Sequence, residues 1–205
     1  MKKIKIPAKK RTIEYVVKKS RFIAIAEPLN HQNDVKRLIN EKRALYPGSN
    51  HVVSAFFVND DRSISGLSDD GEPHGTAGRP VYEVLKGSGL TDILITVTRY
   101  FGGTKLGTGG LVSAYGKSAK DVLEMVPVIE KIYTVKMKLI LNYKIYDSVK
   151  KKLDGEGALN ILEDFAAEIV LTADIPIEKR DEISSFILDV SRGEVVPEYL
   201  EKGTN

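Results

Sequence analysis

Apolar positions change their period along this chain, and each change marks an element. Residues 12–17 and 21–26 read as two short strands, with Lys18-Lys19-Ser20 as the turn between them. From Asn33, a fitting N-cap, apolar residues recur at Val35, Leu38, Ile39 and Leu45, which predicts a helix that Pro47-Gly48 ends. β-Branched and aromatic residues over 52–58 predict a strand, and Asn59-Asp60-Asp61 a turn. The stretch 65–80 has almost no apolar content and carries four glycines and two prolines, so it reads as a long loop. Loops of that length in compact domains are usually functional or disordered. A short helix over 80–85 follows, ended by Lys86-Gly87-Ser88-Gly89. Ile93, Ile95 and Val97 alternate with Leu94, Thr96 and Thr98, a strand that runs straight into a glycine-rich passage from Arg99 to Gly110. Leu111, Tyr115, Ala119, Val122 and Val126 then line one face of a helix closed by Pro127.

A domain boundary falls at 128–132, giving domains of 1–130 and 131–205. The second reads as strand (135–141), helix (Ile145, Val149, Leu153), strand (159–162), strand (168–173), helix (Ile183, Phe186, Ile187, Val190) and strand (195–199). That order is the ferredoxin-like split βαβ pattern. The fold class is therefore α+β in two domains.

Composition narrows the picture. Hydrophobic residues make up 42% and charged residues 29% of the 205, an ordinary balance for a globular core. No apolar run approaches the roughly 18 residues a membrane helix needs, and the basic start lacks the apolar stretch of a signal peptide. With no cysteine, disulfides and thiolate metal sites are excluded. A cytoplasmic protein is expected. The net charge of +3 is unevenly placed. Residues 1–131 hold 21 Lys and Arg against 14 Asp and Glu, whereas 132–205 hold 10 against 14. A basic half suggests an anionic partner, although much of the excess sits in the lysine-rich start.

Two segments have residues that carry chemistry. In the first, Gly102, Gly103, Gly107, Gly109 and Gly110 let backbone N–H groups face a shared concavity, and the following helix adds its dipole. Thr104, Lys105 and Thr108 add two hydroxyls and a cation, a set suited to phosphate. Neither a Walker A frame nor G-x-G-x-x-G fits it. The plainer alternative is a tight turn with close helix–sheet packing. Arg99-Tyr100-Phe101 places aromatics beside a cation, as single-strand binders do; one ring is expected to be buried and the other available. In the second segment, Asp69, Asp70, Glu72 and His74 crowd into six positions before Arg79. They are candidates for a divalent ion or an acid–base pair, yet carboxylates bonding their own turn are the commoner outcome. His31 and His51 read as structural or exposed, and no serine lies in G-x-S-x-G or S-x-x-K.

SRFIAIA (20–26), SDDGEPHGTAGRPVYEVL (68–85) and TRYFGGTKLGTGGLVSAYGKSA (98–119) resemble the IMPACT family. Within these segments the departure is Ser113, where relatives commonly carry Arg, and the change removes a phosphate contact from the helix start. The resemblance implies an N-terminal domain of the ribosomal protein S5 domain 2-like type. It also implies a C-terminal domain like elongation factor G modules, and a link to translation.

The first expectation is a non-catalytic regulator that binds RNA or a ribosome-associated protein, with no cofactor. Arg79, Arg99 and Lys105 would meet phosphates, Tyr100 would stack on a base, and Thr104 and Thr108 would donate hydrogen bonds. The alternative is a phosphotransferase or metal-assisted hydrolase. There Gly102–Gly110 would cradle a nucleotide phosphate, Asp69, Asp70 or Glu72 would hold Mg²⁺, and His74 would act as acid or base. A third reading makes the acidic second domain a protein-docking surface.

Overall fold

A computed structural model describes residues 4–200; the expected domain ends at 1–3 and 201–205 lie outside the described residues. The chain divides into two compact units, with the change at Lys131/Ile132.

In the first unit, β1 (Lys5–Pro7), β2 (Arg11–Val17), β3 (Ser20–Pro28), α1 (Asp34–Leu45), β4 (His51–Val58), β5 (Ile64–Ser68), α2 (Gly78–Ser88), β6 (Ile93–Tyr100), α3 (Gly107–Met125) and β7 (Val128–Glu130) follow in order. Five strands form one antiparallel sheet in the order β2-β3-β6-β4-β5, and β1 pairs β7 apart from it. The alternation on β6 decides the layers. Ile93, Ile95 and Val97 pack with Phe22, Ala24 and Val53 against Val81 and Leu85 of α2 and Tyr115, Ala119 and Val122 of α3. Leu94 faces the other way and meets Leu38 of α1, with Leu29 and Val58. Each buried Val, Leu, Ile or Phe among them contributes roughly 1.5–3 kcal/mol.

Several boundaries differ from the sequence reading. The expected loop over 65–80 begins as β5, a strand hidden by its small residues, and α2 starts at Gly78 rather than 80. Arg99 and Tyr100 belong to β6, paired with Phe22 and Arg21 of β3, so the glycine passage begins later than expected. It also ends earlier, because Gly107 to Gly110 form the first turn of α3. On α1, Leu45 is 58% exposed, whereas Lys42 is 3% exposed and its ammonium lies 2.5 Å from Glu27 Oε1 beneath the helix. Asn33 does not cap α1 with its side chain. Instead, its N–H donates to His31 Nδ1 at 3.1 Å.

The second unit runs β8 (Thr134–Leu141), α4 (Tyr143–Gly155), β9 (Leu159–Phe165), β10 (Ile169–Pro176), α5 (Arg180–Val190) and β11 (Glu198–Leu200). Its sheet is antiparallel in the order β11-β8-β10-β9. Met137, Leu139 and Leu141 alternate into a core with Leu171 and Ile175 of β10, Val149 and Leu153 of α4, and Ile183 and Ile187 of α5. Asn142 caps α4 by accepting from the N–H groups of Lys144 and Ile145. The last strand starts at Glu198 instead of 195, just after Pro197, which has no N–H to donate to a ladder.

Candidate functional site

The segment between β5 and α2 closes upon itself. Asp69 Oδ1 accepts from the N–H groups of Ala77 (3.1 Å) and Gly78 (2.7 Å), and Oδ2 accepts from Gly75 (2.8 Å). A carboxylate thus occupies the N-terminus of α2, where unpaired N–H groups and the helix dipole favour negative charge. Burial works to raise the Asp69 pKa, but the three N–H bonds and the nearby His74 outweigh it and hold the group below the ordinary carboxylate value. Asp70 accepts from the Val52 N–H at 2.5 Å and is ion-paired with Arg43. Its backbone carbonyl lies 2.8 Å from His51 Nδ1, so that ring nitrogen carries the proton and donates.

Glu72 is the centre of the buried part. Its Oε1 accepts from Arg99 Nη1 at 2.6 Å and from the Tyr115 hydroxyl at 2.7 Å, and His51 Nε2 lies 3.9 Å away. Burial, reinforced by the Glu72 carboxylate, raises the Tyr115 pKa far above the ordinary phenol value. Arg99 is 5% exposed, with its guanidinium 5.4 Å from the Phe22 ring centre and 5.6 Å from that of Phe101. Three elements meet in this cluster: β6 brings Arg99, α3 brings Tyr115, and β4 brings His51.

These positions correct several expectations. Arg99 does not face a solvent phosphate; its charge is matched internally by Glu72. The carboxylates do not converge as ligands, and no group of three or more His, Asp or Glu fit to hold a metal occurs among the described residues. The reason is local, since Asp69 turns to its own backbone, Asp70 to β4 and Arg43, and Glu72 to Arg99. His74 projects into solvent 3.7 Å from Asp69 Oδ2. Arg79, in the first turn of α2, is paired with Glu83 at 2.6 Å. Tyr100 is half-buried, with its hydroxyl donating to the Pro47 carbonyl at 3.2 Å; the exposed ring is Phe101, at 47%.

The second segment stays open. Gly103, Thr104, Lys105, Gly107, Thr108 and Gly109 are exposed, and Gly102 and Gly110 partly so. The N-terminus of α3 has no side-chain cap and no acidic residue in its first turn. The loop is pinned on two sides: the Gly102 N–H donates to Ser20 Oγ at the start of β3 at 3.1 Å, and the Phe101 N–H to Asn50 Oδ1, just before β4, at 2.8 Å. The approach is so close that a Cβ on Gly102 would lie 2.1 Å from the Lys19 carbonyl carbon. Lys18 and Lys19, both exposed, form that two-residue turn at φ 45° and 64°. Such turns favour Asn-Gly because L side chains resist this conformation. Sequence reasoning took the lysine pair only as a turn; the signal was a charged pair where Asn-Gly is usual. The lysine turn thus meets the glycine loop at Gly102, next to the exposed Phe101 and three residues before the exposed Lys105.

The Impact N-terminal domain model matches residues 18–123, which includes the lysine turn, the closed loop and the glycine loop. The chain belongs to the IMPACT family. The IMPACT family member YigZ of Escherichia coli (strain K12) is 35% identical over 190 residues, covering 92% of this chain and 93% of the relative. YvyE of Bacillus subtilis (strain 168) is 34% identical over 200 residues, covering 94% and 91%. A crystal structure described only as that of a hypothetical protein is 34% identical, with a TM-score of 0.68, 99% of this chain and 100% of the other being covered. IMPACT membership thus extends over both units. No helix among the described residues is long and apolar enough to cross a membrane.

Proposed function

We propose that this IMPACT family member is a translation-linked, non-catalytic, cytoplasmic regulator that binds RNA, free or on the ribosome, through the open glycine-rich face. The observation that carries the reading is the packing of the Lys18-Lys19 turn onto Gly102. It adds two exposed cations to a loop that already offers Lys105, Thr104, Thr108 and the bare first turn of α3. Phosphates suit the cations and N–H groups, and Phe101 offers a base a stacking surface. The link to translation comes from the family resemblance, as do the S5 domain 2-like type for the first unit and the ferredoxin-like, elongation factor G-like type for the second. The antiparallel order β11-β8-β10-β9 supports the last of these. Phosphoryl transfer and metal-assisted hydrolysis lose their support, because the carboxylates they need are engaged in internal bonds.

The test is fluorescence anisotropy with labelled single-stranded RNA across a salt series. Contacts from three lysines give log K against log salt a slope of about −2. Lys19→Glu/Lys105→Glu should abolish the binding while leaving the fold intact, since both side chains are exposed. Salt-insensitive binding, or none at low ionic strength, rejects the reading.

A further inference from the structure

On the opposite face of the same sheet, α1 and β4 leave a slot beside the edge strand β5. It is an open cleft of about 470 Å³ lined by Phe56, Val35 and Ile39 together with polar residues, Lys36 and Arg43 among them. The volume lies within the range of ligand clefts, roughly 300–1,000 Å³. Gly66 of β5 pairs with Phe56 across the strands and leaves room for its ring. A Cβ there would lie 2.6 Å from Phe56 Cε1.

Beside the slot, β5 is the last strand of the sheet, with nothing hydrogen-bonded to its outer side among the described residues. Its sequence, Ile-Ser-Gly-Leu-Ser, carries neither charge nor proline. Those are the usual guards of an exposed edge. The opposite edge, β2, carries Arg11 and Glu14, and Glu14 is bonded to Arg21 at 2.9 Å. The rim of the slot is basic. No carboxylate lines it, and the acids of α1, Asp34 and Glu41, are taken up by Arg37 at 3.0 and 2.6 Å. Lys36 has no ion pair among the described residues, and Arg43 engages Asp70 through Nη2.

We infer that β5 and the α1 slot together dock an extended acidic segment of a partner protein, which adds as a sixth strand and inserts one large apolar side chain over Phe56. The backbone edge supplies the pairing, the slot selects the anchor, and Lys36, whose charge is not matched by an ion pair among the described residues, selects the charge. This second site is independent of the RNA reading, which concerns Lys18, Lys19 and Lys105.

A random dodecapeptide phage library panned on the full chain tests it. Enriched peptides should combine Asp or Glu with one aliphatic or aromatic residue. The best of them, made as a free peptide, should slow hydrogen exchange within residues 64–68. Gly66→Ala, which drives the Phe56 ring into the slot, should weaken that peptide at least tenfold. Lys36→Glu, an exposed change that keeps the test valid if Gly66→Ala fails to fold, should weaken it at least threefold. Lys19→Glu/Lys105→Glu should leave it unchanged. The inference is overturned by no enrichment, by peptides without acids, or by binding indifferent to Lys36→Glu. It is equally overturned if Lys36→Glu lowers RNA affinity and not peptide affinity, which would give this face to nucleic acid.

Discussion

The two glycine-rich segments of the first unit lead into two helices that pack side by side on one sheet face, yet they end in opposite states. Before α2, the charges are spent inside the fold: Asp69 fills the helix N-terminus and Glu72 holds Arg99 and Tyr115. Before α3, the helix N-terminus carries no cap, and Lys105 stands in solvent. An intramolecular carboxylate satisfies the first set of N–H groups, leaving those of the second for a ligand. Glycine content alone does not separate a structural loop from a binding loop; the fate of the nearest charges does.

Arg99→Ala should break the comparison most severely. It leaves Glu72 buried without its cation, and losing one partner of a buried pair costs about 3–5 kcal/mol. Lys105→Ala, in the open loop, should change stability by less than about 0.5 kcal/mol. Urea denaturation of both variants decides the point, and equal losses would abolish the distinction. Gly102→Ala is next, at about 1–3 kcal/mol, because the new methyl group meets the Lys19 backbone rather than a flexible side chain. Its melting temperature should fall, and its RNA affinity should fall with it, since the loop and the lysine turn are forced apart.

Asp69→Ala removes the internal cap of α2 and should cost about 1 kcal/mol at neutral pH. The folded-state pKa of Asp69 lies below its ordinary value, so its contribution is present above about pH 4 and is lost as pH falls through the folded value. The difference between wild type and Asp69→Ala should therefore shrink towards zero in acid, as followed by denaturant titrations at several pH values. A constant difference would mean that packing, and not the charge, is what Asp69 supplies.

What could be read from the sequence followed the range of the interactions. The β6 alternation and the α3 face are local periodicities, and both set the core as expected. β5 escaped notice because its one distinctive residue, Gly66, is explained only by the Phe56 ring on the neighbouring strand. Arg99 read as a free cation because its partner lies 27 residues away, inside a different loop. Lys18 and Lys19 joined the candidate face only through the sheet register, which sets Arg21 opposite Tyr100 and so brings the turn to Gly102.

A small expected gain in stability sharpens the comparison furthest. Thr108→Asp places a carboxylate in the first turn of α3, giving this helix the kind of internal anion that α2 has in Asp69. A negative charge at a helix N-terminus contributes about 0.3–1 kcal/mol, so the variant should be slightly more stable than the wild type. RNA binding should weaken at the same time, because the new anion competes for the N–H groups and repels phosphate. A rise in thermal midpoint with a fall in RNA affinity would show that the missing cap is kept at a small cost in stability for the sake of a ligand. A rise in midpoint with unchanged affinity would move the RNA contact away from α3 and onto Lys18, Lys19 and Phe101 alone.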